Sequence, residues 1–247
     1  MSPVAWVTGA GSGIGAAVAR RLAAQGWRVA ISARTASDLD LLATGDEYLV
    51  PVPLDVTDAA AVHDAAGRIE ATLGALDLAV FNAGTHQPMG AADFSADTAR
   101  RLMEVNFMGV VHGLEAVLPR LRARRRGTVA VVASVAGYRG LPSAAAYAPT
   151  KAALISLCES LEPELRREGV ALKLVNPGFV RTPLTDRNDF PMPFLIPADE
   201  AARRVVDGLR RPGFEIAFPR RFAYLLKLGR LLPNAVYLNL AGRLAKR

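Results

Sequence analysis

Tyr147 and Lys151 stand four residues apart in Tyr-Ala-Pro-Thr-Lys, a spacing that puts a phenol and an ammonium on one face of a helix. A neighbouring cation favours the phenolate and lowers the ordinary phenol pKa of about 10 towards values useful for proton transfer at neutral pH. Tyr147 is thus a candidate acid for reducing a carbonyl, or a base for the reverse reaction. Pro149 is tolerated because the first helical turn has no use for its missing N–H. Upstream, Ser134 ends an apolar run, where its hydroxyl can polarise a carbonyl oxygen beside Tyr147. A Tyr-x-x-x-Lys pair alone is a common accident, so other residues must support it.

A second group lies near the amino end. Thr8-Gly9-Ala10-Gly11-Ser12-Gly13-Ile14-Gly15 joins a β-branched run to a helical segment. Glycines in such a turn let the backbone approach a pyrophosphate, whose charge meets the free N–H groups and positive dipole of the helix start. Gly9, Gly13 and Gly15, with Gly11 additional, depart from the G-x-G-x-x-G spacing, and a tight strand-to-helix connection is the bland alternative. The next run ends in Ala33-Arg34, with no acid before Asp38. An acid about 20 residues beyond the glycines would hold a ribose 2′-hydroxyl. A guanidinium there pairs instead with a 2′-phosphate and stacks on adenine, so Arg34 favours NADP over NAD. Asp55, in Leu54-Asp55-Val56, either accepts from the adenine amino group or caps the following helix, as Asp58 would.

These groups need a scaffold that gathers the ends of apolar runs. Strand-like runs at 4–8, 27–33, 48–54, 76–82, 127–134, 170–176 and 214–218 alternate with helical periodicity at 14–25, 58–73, 96–123, 147–168 and 197–209. Runs apolar throughout, such as 129–132, suit parallel strands buried on both faces. The expectation is an α/β fold: a single doubly wound Rossmann-type domain, with a seven-stranded parallel sheet and helices on both faces. Ser134, Asn82-Ala83-Gly84, Asn176-Pro177-Gly178 and Thr182 then fall at or beyond strand ends, with Asn106 in the long helix after Gly84. Open parallel sheets bind their ligands outside the carboxyl ends of the strands.

Over about residues 3–218 the chain resembles the short-chain dehydrogenase/reductase family. The matching residues are Thr8-Gly9-x-x-x-Gly13-x-Gly15, Asn82-Ala83-Gly84, Asn106, Ser134, Tyr147-x-x-x-Lys151 and Pro177-Gly178-x-x-x-Thr182, in family order. The resemblance implies an NAD(P)-dependent alcohol/carbonyl oxidoreductase with Asn106, Ser134, Tyr147 and Lys151 as its catalytic set. Tyr147 would be the acid/base, Lys151 would lower its pKa and hold the nicotinamide ribose, and Ser134 would orient the substrate oxygen. Asn106 would hold a water in a proton relay and Thr182 would contact the carboxamide. The cofactor set is Gly9, Gly11, Ser12, Gly13, Ile14, Gly15, Arg34, Asp55, Val56, Asn82, Ala83, Gly84, Tyr147, Lys151, Pro177, Gly178 and Thr182. A homo-oligomer is implied by resemblance. The alternative function is a non-catalytic dinucleotide-sensing or scaffolding protein, which loss of Tyr147 or Lys151 would have favoured.

Composition narrows the remaining classes. With 247 residues, 51% of them hydrophobic, the chain can bury one large core and is not disordered throughout. No charge-free apolar run is long enough for a membrane span, and the first residues lack a signal-peptide pattern, so the expectation is cytoplasmic. The lone Cys158 gives no internal disulfide, and His63, His86 and His112 show no metal spacing, so no metal site is expected. The net charge of +7 resides in the tail, where residues 211–247 hold eight basic residues and one acid. A basic tail without a reading helix or aromatic interleaving does not suggest nucleic acid.

The catalytic domain is taken as 1–219, with 220–247 a basic, leucine-rich extension. On a helix, Phe222, Leu225, Leu226, Gly229 and Leu232 fall to one side and Arg220, Lys227 and Arg230 to the other, before Pro233. That extension packs on its own domain or a partner subunit, or rests on an anionic membrane surface. Residues 183–197 carry four prolines (Pro183, Pro191, Pro193, Pro197) among Phe190, Met192, Phe194, Leu195 and Ile196. This segment is either a packed surface loop or a lid over an apolar substrate, and only its place directly after a strand end favours the lid. The expectation is an NADPH-preferring reductase of a lipophilic ketone, or the corresponding secondary-alcohol dehydrogenase.

Overall fold

The first strand, β1 (Val4–Thr8), is buried along its whole length, and successive side chains feed opposite faces: Val4 and Trp6 join one core, Ala5 and Val7 the other. The computed structural model describes residues 2–187 and 192–245. After β1 come α1 (Gly13–Ala23), β2 (Arg28–Ser32), α2 (Ala36–Ala43), β3 (Leu49–Pro51), α3 (Ala59–Leu73) and β4 (Leu76–Phe81). There follow α4 (Ala96–Met103), a π-helical turn (Glu104–Met108), α5 (Gly109–Arg124), β5 (Thr128–Val132), α6 (Tyr147–Arg167) and β6 (Ala171–Pro177). The chain continues through β7 (Val180–Arg181), β8 (Ile196–Pro197), α7 (Ala198–Leu209), β9 (Glu215–Phe218), α8 (Arg220–Leu231) and α9 (Asn234–Ala245).

Seven strands form one sheet in the order β3-β2-β1-β4-β5-β6-β9. Every neighbouring pair is parallel. Residues of α1, α2 and α7 pack on one face, and those of α3, α5 and α6 on the other. This is the doubly wound α/β domain expected. The order runs outward from β1 to β2 and β3, then restarts at β4 in the other direction, which opens a crevice at the β1/β4 carboxyl ends.

The structure differs from the sequence expectation in several places, among them a separate β7–β8 ladder. The helix expected over 96–123 is broken by the π-helical turn at Glu104–Met108. α2 was not expected; it buries only Leu39 and Leu42, too little for a periodic signal. The run 48–54 shrinks to three paired residues, because Pro51 and Pro53 cannot donate to a ladder and β3 is an edge. The extension's first helix ends before Pro233, as its pattern implied, but a second helix, α9, follows it. On α8, Phe222, Ala223 and Leu226 pack inward, but Leu225 and Leu232, expected on that face, are exposed. Lys227, expected outside, turns in to pair with Glu215.

Candidate active site

The glycine turn is shaped from beneath. Thr8 Oγ1 accepts the backbone N–H groups of Asn82 at 3.1 Å and Ala83 at 3.2 Å. The Asn82 amide donates to the carbonyls of Thr8 and Gly9, both at 3.1 Å. Asn82, predicted to touch cofactor, therefore serves with its side chain to hold the turn. Gly13 has φ +58°, and a Cβ on Gly15 would lie 2.3 Å from the Gly9 carbonyl oxygen, so neither position accepts a side chain. Ser12 precedes α1 in extended conformation without a side-chain cap, and the first turn of α1 carries no acid. The leading N–H groups of α1, next to Ile14, are thus available to an anion.

Across the cleft, Thr182 Cγ2 lies 3.0 Å from where a Gly13 Cβ would stand. Gly11, Ser12, Gly13, Arg20, Thr182 and Pro183 line a pocket of about 290 Å³. A pyrophosphate fits the turn itself, with backbone donors, glycines at 9, 11 and 13, and no carboxylate in the first helical turn, while Asp38 and Asp199 on the pocket's other walls are the negative charges it would have to avoid.

Beyond the end of β2, Arg34 and Asp55 line a groove of about 1040 Å³. The Thr57 backbone N–H, at 2.9 Å, holds the Asp55 carboxyl below the usual carboxylate range; burial opposes this, while the Thr57 hydroxyl and Arg34 assist it. The carboxylate oxygen that accepts from Thr57 is thus engaged within the chain, and Asp58 caps α3 through Ala61 N–H at 3.0 Å. The Val56 carbonyl meets His112 Nδ1 at 3.0 Å. α2 folds Asp38 back, so that a Cβ on Gly11 would lie 3.3 Å from Asp38 Cβ. From sequence, Asp38 was only the first acid after Arg34.

The reacting groups meet where β4, β5 and α6 converge. Tyr147 is the first residue of α6 and Lys151 lies one turn on. Pro149 falls in the first turn and leaves the helix start intact. The Lys151 ammonium lies 5.6 Å from the Tyr147 ring centroid and donates to the Val132 carbonyl at 3.0 Å. A Cβ on Gly84 would lie 3.4 Å from Asn106 Oδ1 and 3.6 Å from Lys151 Nζ, so 82–84, Asn106 and Lys151 share one corner. Ser134 Oγ accepts from Ala136 N–H at 3.1 Å and lies 3.4 Å from the Pro177 carbonyl. The Gly178 N–H, by contrast, donates to the Phe218 carbonyl at 2.7 Å.

The electrostatics differ from the expected pattern. Burial pushes the Tyr147 phenol up to about 12, and the opposing influence is a hydrogen bond with Ser134, not the ammonium. Burial likewise pushes the Lys151 amine down to about 8. Within the protein alone, desolvation outweighs the attraction that the sequence spacing suggests.

Asn106 also differs. Its amide donates to the Thr85 carbonyl at 2.9 Å and to Thr150 Oγ1 at 3.1 Å, and its Oδ1 accepts the Thr85 N–H at 2.7 Å. Both amide hydrogens are thereby committed to protein, so a water held here would meet the second lone pair of Oδ1 or the backbone carbonyl. The π-helical turn aims this side chain at Thr85. The sequence reading missed His86, whose ring packs edge-on against Tyr147 with centroids 4.8 Å apart. Its position two residues after Asn82-Ala83-Gly84, at a strand's carboxyl end, was the available signal. On the far side of the site, the β7–β8 pairing pins the two ends of the proline-rich loop together. Phe190 and Pro191 of that loop lie outside the described residues.

Comparison with known proteins gives this geometry its place. The family model for short chain dehydrogenase matches residues 3–190. An uncharacterized oxidoreductase of Myxococcus xanthus is 38% identical over 244 residues, spanning 97% of this chain and 96% of that protein. The crystal structure of a short chain dehydrogenase/reductase from Burkholderia phymatum in complex with NAD superposes with TM-score 0.85 at 26% identity, covering 93% of each chain. An alcohol dehydrogenase from Thermococcus sibiricus complexed with 5-hydroxy-NADP gives TM-score 0.80 at 28% identity, over 88% of this chain and 96% of that one. With the glycine turn, strand-end residues and Tyr-Lys pair in one crevice, the chain belongs to the short chain dehydrogenase family of NAD(P)-dependent oxidoreductases.

Proposed function

We propose that this protein interconverts a lipophilic ketone and the corresponding secondary alcohol with NADP(H). The observation that carries this reading is the convergence of Ser134, Tyr147 and Lys151, with Ser134 hydrogen-bonded to the Tyr147 phenol and the Lys151 ammonium 5.6 Å from its ring. A bound nicotinamide supplies or accepts the hydride. Ser134 holds the substrate oxygen, and Tyr147, protonated across the neutral range, delivers its phenolic proton to that oxygen in the reducing direction. Lys151 compensates the charge left on the phenolate and is placed to hold the nicotinamide ribose. Gly9, Gly11, Ser12, Gly13, Ile14 and Gly15 would face the pyrophosphate. Asp55 and Val56 would flank the adenine, and 82–84, Pro177, Gly178 and Thr182 would border the nicotinamide.

Arg34, exposed at the end of β2, supports NADP through its guanidinium, and Asp38 is the acid against which that preference must act. The solved relatives include both an NAD complex and a 5-hydroxy-NADP complex. The apolar substrate is supported by Phe179, Phe194 and Phe222, whose rings gather beside the loop after β6 with successive centroids 5.8 Å apart. Residues 1–219 are proposed as the catalytic unit of a cytoplasmic protein, homo-oligomeric as family resemblance suggests, with 220–247 as an extension.

The test is NADPH oxidation with a panel of hydrophobic and polar carbonyl compounds. Tyr147→Phe should lower kcat about 10²- to 10⁴-fold while cofactor binding persists; an unchanged rate rejects the acid. Arg34→Asp should weaken NADPH binding by about tenfold or more relative to NADH; an unchanged ratio rejects the NADP preference. Turnover confined to sugars or polyols rejects the lipophilic substrate.

A further inference from the structure

Eight of the twelve large hydrophobic residues exposed among the described ones lie on the two last helices: Tyr224, Leu225, Leu228, Leu231, Leu232, Val236, Leu238 and Leu240. At 3.6 residues per turn, the first five fall within roughly 120° of arc along α8 and just beyond it. They lie away from Phe222, Ala223 and Leu226, which pack on the domain. α8 therefore has an apolar face on each side, and only one is covered.

The inner attachments are specific. Lys227 pairs with Glu215, and Arg139 donates to the carbonyls of Gly229 and Leu232 and to Asn234 Oδ1. Arg139 also lies 3.9 Å over the Tyr237 ring. These contacts fix both helices on the domain and turn the remaining leucines outward.

The charge of this face selects its occupant. Residues 220–247 contain seven basic side chains and no acid. Arg220 and Arg221 are exposed at the amino end of α8, within about 60° of its outward leucines, and Arg243 is exposed on α9. A twofold contact with a second copy would bring identical cationic faces together, whereas anionic headgroups complement them. Among the described residues no helix is long and apolar enough to cross a membrane. Two helices of 12 residues with apolar and arginine-bearing surface suit the headgroup boundary instead.

We propose that the outer face of α8 and α9 docks this protein on an anionic phospholipid surface. The inference stands on the extension alone and needs neither the catalytic assignment nor the substrate class. It would also bring the substrate loop to the bilayer, because Phe222 of α8 packs against Phe194 and Phe179.

The test is flotation of the full chain with phosphatidylcholine–phosphatidylglycerol vesicles and with phosphatidylcholine alone. Flotation is expected only with the anionic vesicles and should weaken as salt rises. Arg220→Gln with Arg221→Gln should lower partitioning by about tenfold or more. Leu228→Ser with Leu231→Ser should abolish it, with circular dichroism and thermal unfolding showing that the exposed substitutions leave the fold intact. Failure of the full chain to float overturns the proposal, as does equal flotation on neutral vesicles or flotation undiminished in the variants. If the leucine variants reduce the assembly state by sedimentation while vesicles are ignored, the face belongs to a second copy and the proposal falls.

Discussion

Lys151 carries a conflict between stability and chemistry. Its amine titrates at about 8 in the folded protein against an ordinary 10.5, with burial as the cause. Between these values the unfolded chain binds more protons than the folded one, so stability rises with pH through that window, and the burial cost is full below it. Lys151→Met should therefore stabilise the fold near neutral pH by about 2 kcal/mol, after loss of the hydrogen bond to Val132 is set against removal of a buried charge. The gain should fade by about pH 10.5. Urea unfolding of both proteins across this range measures it, and a pH-independent difference would refute the assignment. In the reducing direction kcat/KM should fall as pH rises through about 8, where Lys151 loses its charge, because the Tyr147 phenol keeps its proton to about 12. A profile flat from neutrality to pH 10 would separate Lys151 from the reaction.

At the scale of elements, the π-helical turn decides where Asn106 points. A continuous α-helix over 96–123 would rotate the residues beyond the turn by about a third of a revolution. Asn106 then spans from that turn to Thr85 in the loop after β4 and to Thr150 in α6. The loop it holds carries His86 against Tyr147. Asn106→Ala leaves buried partners without a mate and should cost about 2–3 kcal/mol. It should also lower kcat by letting the His86 loop drift from Tyr147. Denaturant midpoints and steady-state rates check both effects; retention of full stability would mean that the three hydrogen bonds are not what holds this loop.

Across the whole molecule, Glu215 joins the sheet to its surroundings. From β9 it accepts from Tyr138 after β5, from Asn176 on β6 at 2.7 Å, and from Lys227 on α8. Burial works to raise its carboxyl, but hydrogen bonds from Lys227, Tyr138 and Asn176 together hold it below the usual range. Its depressed pKa contributes stability that is present above about 4.5 and lost as pH falls through the folded value. Since the pair is only partly shielded from solvent, Lys227→Met should cost about 1 kcal/mol at neutral pH. The loss should shrink in acid, where Glu215 is neutral in both proteins. Thermal unfolding at the two pH values checks this, and equal losses would remove the pair from the attachment of α8.

Local chemistry made much of this protein readable from its residues. Seven apolar runs specified a doubly wound sheet, because strands buried on both faces must be apolar throughout. The glycine turn and Tyr147–Lys151 announced themselves because backbone approach and one-turn spacing are properties of adjacent residues. What only the tertiary structure decided depends on distant parts meeting. Burial, absent from any local pattern, sends Tyr147 and Lys151 in opposite pKa directions. The short α2 returns Asp38 to Gly11, and the π-helical turn commits Asn106 to Thr85 and Thr150. Helical periodicity marked α8 as amphipathic, but its inward face followed Glu215 and Phe179, which lie on other elements. A helix with two apolar sides can choose between them only once the rest of the molecule has folded.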